Sequence, residues 1–267
     1  MTTAYKLTPE KCEEVGEKAA RQLYEYCWKN KLHFVVYGSS GGKDSALTAA
    51  YAGRAEKMAA ADGYLLKAVG ITIPIDSDPK AERLGREVIE TFGADHIHQD
   101  MTNLFNLATG RFDWNTVFDG ISIDSKDMGE IIHRIDANVV SNVDRQVMQI
   151  LKKYNRYNET KWSYAARVAQ GNIKARMRMA FAVYHIARML NGEALVLSTD
   201  NLSEYFMSFW TLHGDVGDFS MIQFVWKGLE IIDLCRHEGV PQEVIDDMPD
   251  DGNKVAGGGD AGGADRG

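Results

Sequence analysis

Cysteine is scarce and unpaired in this sequence. Cys12, Cys27 and Cys235 are odd in number, widely spaced and without a CxxC pair, so neither a disulfide framework nor a zinc cluster is expected to hold the fold. The pattern fits a reducing, cytoplasmic setting. Long apolar runs are also missing: nothing approaches the roughly 18 residues of a membrane span, and Met1 to Lys11 is polar, unlike the basic-then-apolar start of an export signal. No membrane partner is expected. Nor is there a basic excess, since 30 Lys and Arg stand against 38 Asp and Glu for a net charge of -8. That balance repels a polyphosphate backbone unless cations are locally concentrated, so no nucleic-acid partner is expected.

What is present suffices for one substantial core, with 267 residues of which 45% are hydrophobic. Pro9 to Lys31 carries Val15, Ala19, Leu23, Tyr26 and Cys27 at helical spacing, with Pro9 suited to a first turn. His33 to Tyr37 is a β-branched and aromatic run closed by Gly38, and Ser45 to Ala61 is Ala-rich without an internal proline. Strand, glycine loop and helix follow in that order. Ala68 to Ile73 reads as a strand, Lys80 to Phe92 as a helix and Asp95 to Gln99 as a short strand. Thr109 to Lys161 reads as a mostly helical insertion whose clustered Trp114, Phe118 and Ile121 have two readings, an interface lining or a satellite core, of which the core is preferred. Tyr164 to Leu190 is a long helix, Ala194 to Leu197 a buried strand, and Leu202 to Trp210 and Gly228 to His237 further helices. The alternation predicts an α/β fold, a doubly wound and mostly parallel sheet of about five strands flanked by helices. We assign one domain to residues 1–251, with its insertion at about 109–161, and a disordered Gly-rich tail to 252–267, where no hydrophobic anchor follows Val255.

The chemistry begins where the first strand ends. Gly38-Ser39-Ser40-Gly41-Gly42-Lys43-Asp44-Ser45 sets glycines where backbone N–H groups can approach an anion, and the positive end of the following helix adds to the attraction. Ser40 and Ser45 offer hydroxyl donors, and Asp44 can hold a magnesium ion bridging phosphate oxygens. The loop is built to grip pyrophosphate. It is not the Walker pattern, which has four residues between its glycines before Gly-Lys-Ser/Thr, so a γ-phosphate kinase or motor is not indicated.

Ser40-Gly41-Gly42-Lys43-Asp44-Ser45 after a hydrophobic strand resembles the PP-loop of the ATP pyrophosphatase superfamily, whose adenine nucleotide alpha hydrolase-like members cleave ATP between its α and β phosphates. Two later segments choose within it. Gln170-Gly171-Asn172-Ile173-Lys174-Ala175-Arg176-Met177-Arg178-Met179 resembles the signature of the ammonia-dependent NAD synthetase family. Leu197-Ser198-Thr199-Asp200-Asn201-Leu202-Ser203-Glu204, followed by Trp210-Thr211-Leu212-His213-Gly214-Asp215, resembles its segment after the next strand. The likeness covers roughly residues 34–105 and 165–248. It implies an AMP-forming ligase that amidates deamido-NAD with ammonia, using ATP as co-substrate and Mg2+ as cofactor.

Residue by residue, the resemblance puts ATP on Gly38, Ser39, Ser40, Gly41, Gly42, Lys43, Asp44, Ser45, Thr199 and Lys227. It makes Asp44 and Glu204 the magnesium ligands and sets the dinucleotide on Asn172, Arg176 and Asp218. It makes Asp215 the carboxylate at the ammonia site and Lys227 the cation for the leaving pyrophosphate. Spacing alone adds that Lys174 and Arg178 share a helix face while Arg176 points elsewhere. The resemblance further implies a homodimer. With no glutaminase region in view, ammonia is expected free or from a separate glutaminase.

The sequence also departs from the family pattern. Leu212 stands where many relatives have a substrate-binding lysine, and Met248-Pro249-Asp250-Asp251-Gly252 lacks an ATP-contacting threonine. The sequence stops before the usual closing segment, which puts lid closure in question. A non-catalytic nucleotide-binding relative is thus one alternative. Another adenylating PP-loop enzyme, such as a tRNA sulfur-transfer protein, would want a reactive cysteine pair and a basic surface. His96 and His98 alternate on a strand but lack a third ligand, and read as edge histidines. Cys27 reads as core, and His213 is a candidate for orienting Asp215.

Overall fold

The computed structural model describes residues 6–109, 146, 149–150, 152–153, 164–207, 211, 214, 216–226 and 230–247. The tail, nearly all of the insertion with its Trp114, Phe118 and Ile121, and residues Leu212, His213, Asp215 and Lys227 lie outside them.

Helix α1 spans Pro9–Asn30; Thr8 caps it by accepting from the Lys11 amide at 3.3 Å, and Lys31 ends it in a left-handed conformation. Its apolar stripe, including Cys12, Ala19, Leu23 and Cys27, is buried. Strand β1, Phe34–Gly38, leads into α2, Lys43–Ala61. Small side chains at Ala46, Ala49, Ala50, Ala52 and Ala55 let α2 be buried on several sides at once, against α1, the sheet and later helices. Strand β2 (Lys67–Thr72), α3 (Pro79–Phe92), β3 (Asp95–His98) and α4 (Thr102–Ala108) follow. After the insertion come α5 (Tyr164–Arg178), a π-turn (Met179–Val183), α6 (Tyr184–Met189) and β4 (Ala194–Ser198). The last elements are α7 (Leu202–Met207), β5 (Phe219–Ser220), α8 (Ile231–Glu238) and α9 (Gln242–Asp246).

The strands form one parallel sheet in the order β3-β2-β1-β4-β5. Residues alternate between its faces as a period of two requires. Val35, Tyr37, Ala68, Leu195 and Leu197 join the core beneath α1, α2, α3 and α8, while Val36, Val69, Ile71 and Val196 pack against Val183, Ile186 and Ala187. The order reverses between β1 and β4: the chain winds outward from β1 to β3, then returns to β1's other edge. In open α/β sheets that switch point, at the carboxyl ends of the strands, is where ligands bind. The PP-loop after β1 and Thr199 after β4 both sit there.

The doubly wound sheet of about five strands is therefore found. Helix α2 begins two residues earlier than the Ala-rich run suggested, because Gly42 serves as its N-cap. The long helix at Tyr164 to Leu190 is interrupted by the π-turn at Met179–Val183. Cys12, Cys27 and Cys235 are free and buried, and burial pushes the thiols of Cys27 and Cys235 up to about 12. His96 and His98 share the Thr72 hydroxyl, at 2.9 and 3.1 Å, at the β3 edge of the sheet.

Candidate active site

Beyond β1 the ladder continues one residue, as the Ser39 amide donates to Ile71 O at 2.8 Å. The chain then turns through Gly41 at φ 81°. A Cβ at Gly41 would lie 2.5 Å from Ala81 O, and one at Gly85 only 2.6 Å from Ser39 O. Backbone thus meets backbone where α3 presses on the loop, and only glycine fits either side. The Ser39 hydroxyl donates to Gly85 O at 2.8 Å, so this side chain anchors the loop to α3. Ser40 and Ser45 face each other, their hydroxyl oxygens 3.2 Å apart, and Ser45 Oγ donates to Gly42 O at 2.9 Å. Helix α2 starts without a side-chain cap, so its first-turn amides are the groups an anion would meet.

Lys43 turns to the other end of the chain. Its ammonium donates to Ile245 O at 3.1 Å and Asp247 O at 2.6 Å, closing the carboxyl end of α9, while Lys80 pairs with the Asp247 carboxylate at 2.5 Å. Cys235 lies beneath the loop, with Sγ 3.6 Å from Lys43 O.

The two acids expected to bind magnesium are linked through one residue, Asn201. Asn201 Nδ2 donates to Asp44 Oδ1 at 3.1 Å. Its Oδ1 accepts from the Glu204 amide at 3.1 Å, and its own amide donates to Glu204 Oε2 at 3.2 Å. The Asn201–Glu204 exchange is a capping box at the start of α7. Two carboxylates with hard oxygen donors suit a magnesium ion, which completes its shell with water and phosphate oxygens. Among the described residues no group of three or more His, Cys, Asp or Glu side chains is placed to hold a metal. Thr199 lies one residue beyond β4, between Ser198 and Asp200, which are hydrogen-bonded to each other.

On α5, Asn172 Oδ1 accepts from Thr211 Oγ1 at 2.9 Å. Gly214 stands between Thr211 and Arg176, where a Cβ would fall 2.5 Å from Thr211 Cγ2 and 3.0 Å from Arg176 Cγ. Asn172, Arg176, Thr211 and Gly214 are thereby gathered. Lys174 and Arg178 do share a face: Lys174 Nζ donates to Ile75 O at 2.8 Å, and Arg178 Nε to Ile73 O at 2.9 Å. Both secure the segment after β2. Burial lowers the pKa of Arg178 from its ordinary value, and its hydrogen bonds to Ile73 and Ser77 compensate.

Asp218 stands apart from that group. It flanks β4 at the level of Val196, whose amide lies 3.3 Å from its carboxylate, and accepts from Tyr184 OH at 2.8 Å. Burial first, then this bond, pushes the Tyr184 phenol up to about 12. Asp215 and Lys227, expected at the ammonia site and on the leaving pyrophosphate, fall outside the described residues. Asn201, Thr211 and Gly85 had no role from sequence reasoning. The Asn-x-x-Glu spacing was a readable sign of the first; the other two had none, since their partners are distant in sequence.

The family model described as NAD synthase matches residues 120–255, half of the chain. The chain is 29% identical over 216 residues to an NH(3)-dependent NAD(+) synthetase of Rhizobium meliloti, covering 79% of this chain and 61% of that protein. It is 26% identical over 246 residues to the NH(3)-dependent NAD(+) synthetase of Methanocaldococcus jannaschii, covering 91% of this chain and 73% of that one. Among solved structures, NMN synthetase from Francisella tularensis superposes with a TM-score of 0.62 at 19% identity, over 94% of this chain and 79% of that one, a likeness of fold.

Proposed function

This chain belongs to the NAD synthase family, and on that premise we propose that it amidates deamido-NAD with ammonia, converting ATP to AMP and pyrophosphate. The observation that carries the reading is the meeting of the PP-loop with Asp44, Asn201 and Glu204 at the sheet's switch point.

In the first half-reaction an oxygen of the nicotinate carboxylate attacks the α-phosphorus of ATP, forming an acyl adenylate and releasing pyrophosphate. Two anions must be brought together. The loop amides from Gly41 onward and the Ser40 hydroxyl take the phosphates, Ser45 bracing Ser40 from beneath through its buried hydroxyl, and Thr199 approaches the nucleotide from β4. Asp44 and Glu204 would hold magnesium, which supplies positive charge to the phosphate oxygens when bound. Lys227 would stabilise charge on the departing pyrophosphate. Asn172 and Arg176 would orient the dinucleotide, with Asp218 at its far side, so that much of the barrier is met by positioning.

In the second half-reaction ammonia attacks the activated carbonyl. The C–N bond forms, the bond to the AMP oxygen breaks, and a proton leaves the nitrogen, for which Asp215 is the proposed acceptor. The ammonia is free or comes from a separate glutaminase. We further propose a cytoplasmic homodimer; exposed Tyr205, Phe206, Met207 and Trp226 offer apolar surface beside Glu204, and light scattering tests this.

Purified protein given deamido-NAD, ATP, magnesium and ammonium should yield AMP and NAD in equal amounts. Formation of ADP, or AMP release that does not depend on deamido-NAD, would count against the proposal. Nicotinate mononucleotide as a competing acceptor tests the dinucleotide requirement.

A further inference from the structure

We propose that Asn201 is a positioning residue that sets Asp44 and Glu204 for the metal–nucleotide complex, an inference that rests on the ATP reading above. Asn201 is fully buried. Its amide is read in both directions: Nδ2 meets a carboxylate, which needs a donor, and Oδ1 meets the Glu204 N–H, which needs an acceptor. These partners fix which way the amide points. The residue itself is held by its neighbours, with the Leu202 amide on Val225 O at 2.9 Å and the Tyr205 amide on Asn201 O at 3.1 Å.

Asp44 and Glu204 come from helices on opposite sides of the switch point, α2 after β1 and α7 after β4. One buried residue therefore links them across the seam between the sheet's two halves: its side-chain amide holds the Asp44 carboxylate and the Glu204 N–H, and its main-chain N–H holds the Glu204 carboxylate. A part-buried hydrogen bond to a carboxylate restricts its rotamers. Groups that orient metal ligands in this way typically change metal affinity 10–100-fold when removed.

Capping alone is a competing role, and serine separates the two. Serine caps a helix about as well as asparagine, but its hydroxyl is too short to reach Asp44 while bonding the Glu204 amide. The test is Mn2+ binding to the full chain by electron paramagnetic resonance in the presence of α,β-methylene-ATP. Thermal melts and metal-free binding of the same nucleotide in EDTA are measured alongside. For Asn201→Ser we expect Mn2+ affinity to fall roughly tenfold or more, with metal-free nucleotide binding close to wild type and a melting temperature lower by a few degrees through the lost bond to Asp44. If the serine variant does not fold, Asn201→Thr, a bulkier cap, is measured instead.

Mn2+ affinity within twofold of wild type, or equal weakening with and without metal, overturns the proposal. If Asp44→Ala and Glu204→Ala lose Mn2+ while Asn201→Ser retains it, only the role of Asn201 fails. If both acid variants bind Mn2+ normally, the assignment of Asp44 and Glu204 as metal ligands fails and this inference with it; if wild type binds neither the nucleotide nor Mn2+ with it, the ATP reading itself fails.

Discussion

Gly85→Ala places a methyl group between α3 and the PP-loop. Its Cβ would sit 2.6 Å from Ser39 O and 3.3 Å from Gly41 N, where ordinary contact begins at 3.4 Å. The shortfall at Ser39 is about 0.8 Å, and both close atoms are backbone, so no rotamer relieves it. Overpacking of this kind costs about 1–3 kcal/mol, while replacing glycine by alanine inside a helix returns roughly 0.8–1 kcal/mol. The net expectation is a loss of about 1 kcal/mol, or a drop of some 2–4 °C in melting temperature for a chain of this size. Function should suffer more. If the loop yields rather than α3, the phosphate-binding amides move by a large part of an ångström, and misplacement on that scale can cost on the order of 100-fold in rate. The assay is AMP formation under kcat/KM conditions beside a thermal melt. A variant that melts higher than wild type and turns over normally would refute the contact, since helix propensity alone would then have decided the outcome.

Thr211→Val removes the donor to Asn172 Oδ1 at nearly constant volume; KM for the dinucleotide should rise several-fold with KM for ATP unchanged, as steady-state kinetics would show. Arg178→Leu leaves Ile73 O without its charged donor, and urea unfolding should register a loss of about 1–3 kcal/mol. Alkaline stability follows from the buried thiols: Cys27 and Cys235 rise from 9.0 to about 12 through burial. Between those values the unfolded chain binds fewer protons than the folded one, so stability falls as pH rises from about 9 towards 12. Urea unfolding at pH 8 and pH 10.5 should show this decline, and Cys27→Ala with Cys235→Ala should lessen it, the remainder coming from the phenols of Tyr37 and Tyr51, which burial also pushes up.

Local chemistry made much of the fold readable. Phe34 to Gly38, a glycine loop and an Ala-rich helix announced the β1–α2 unit; β1, β2 and β4 stood out as apolar runs bounded by turns, and β3 as a short polar alternation after a helix. Strand β5 did not, because Phe219–Ser220 is only two residues long. It is placed by Gly217, where a Cβ would lie 2.7 Å from the Leu197 carbonyl carbon, a closeness that sequence cannot display. The π-turn at Met179–Val183 preserves an apolar helical pattern and leaves no mark on it.

The site divides in the same way. Helix spacing correctly separated Lys174 and Arg178 from Arg176, whereas the lysine of the PP-loop motif turned out to bond carbonyls at Ile245 and Asp247. That contact spans some two hundred residues, and periodicity carries no information over such a distance. Asp218 likewise joins Tyr184 through tertiary structure alone. The Asn201 capping box was local and could have been read; its second bond, to Asp44, could not.

The central claim is that the acceptor carboxylate is activated by adenylation. Deamido-NAD labelled with 18O in its nicotinate carboxylate tests it most directly, because the attacking oxygen must remain on the α-phosphorus when ammonia displaces AMP. Adenylation yields AMP carrying one 18O for every NAD formed from fully labelled substrate; unlabelled AMP, or label appearing in inorganic phosphate alongside ADP, would rule it out.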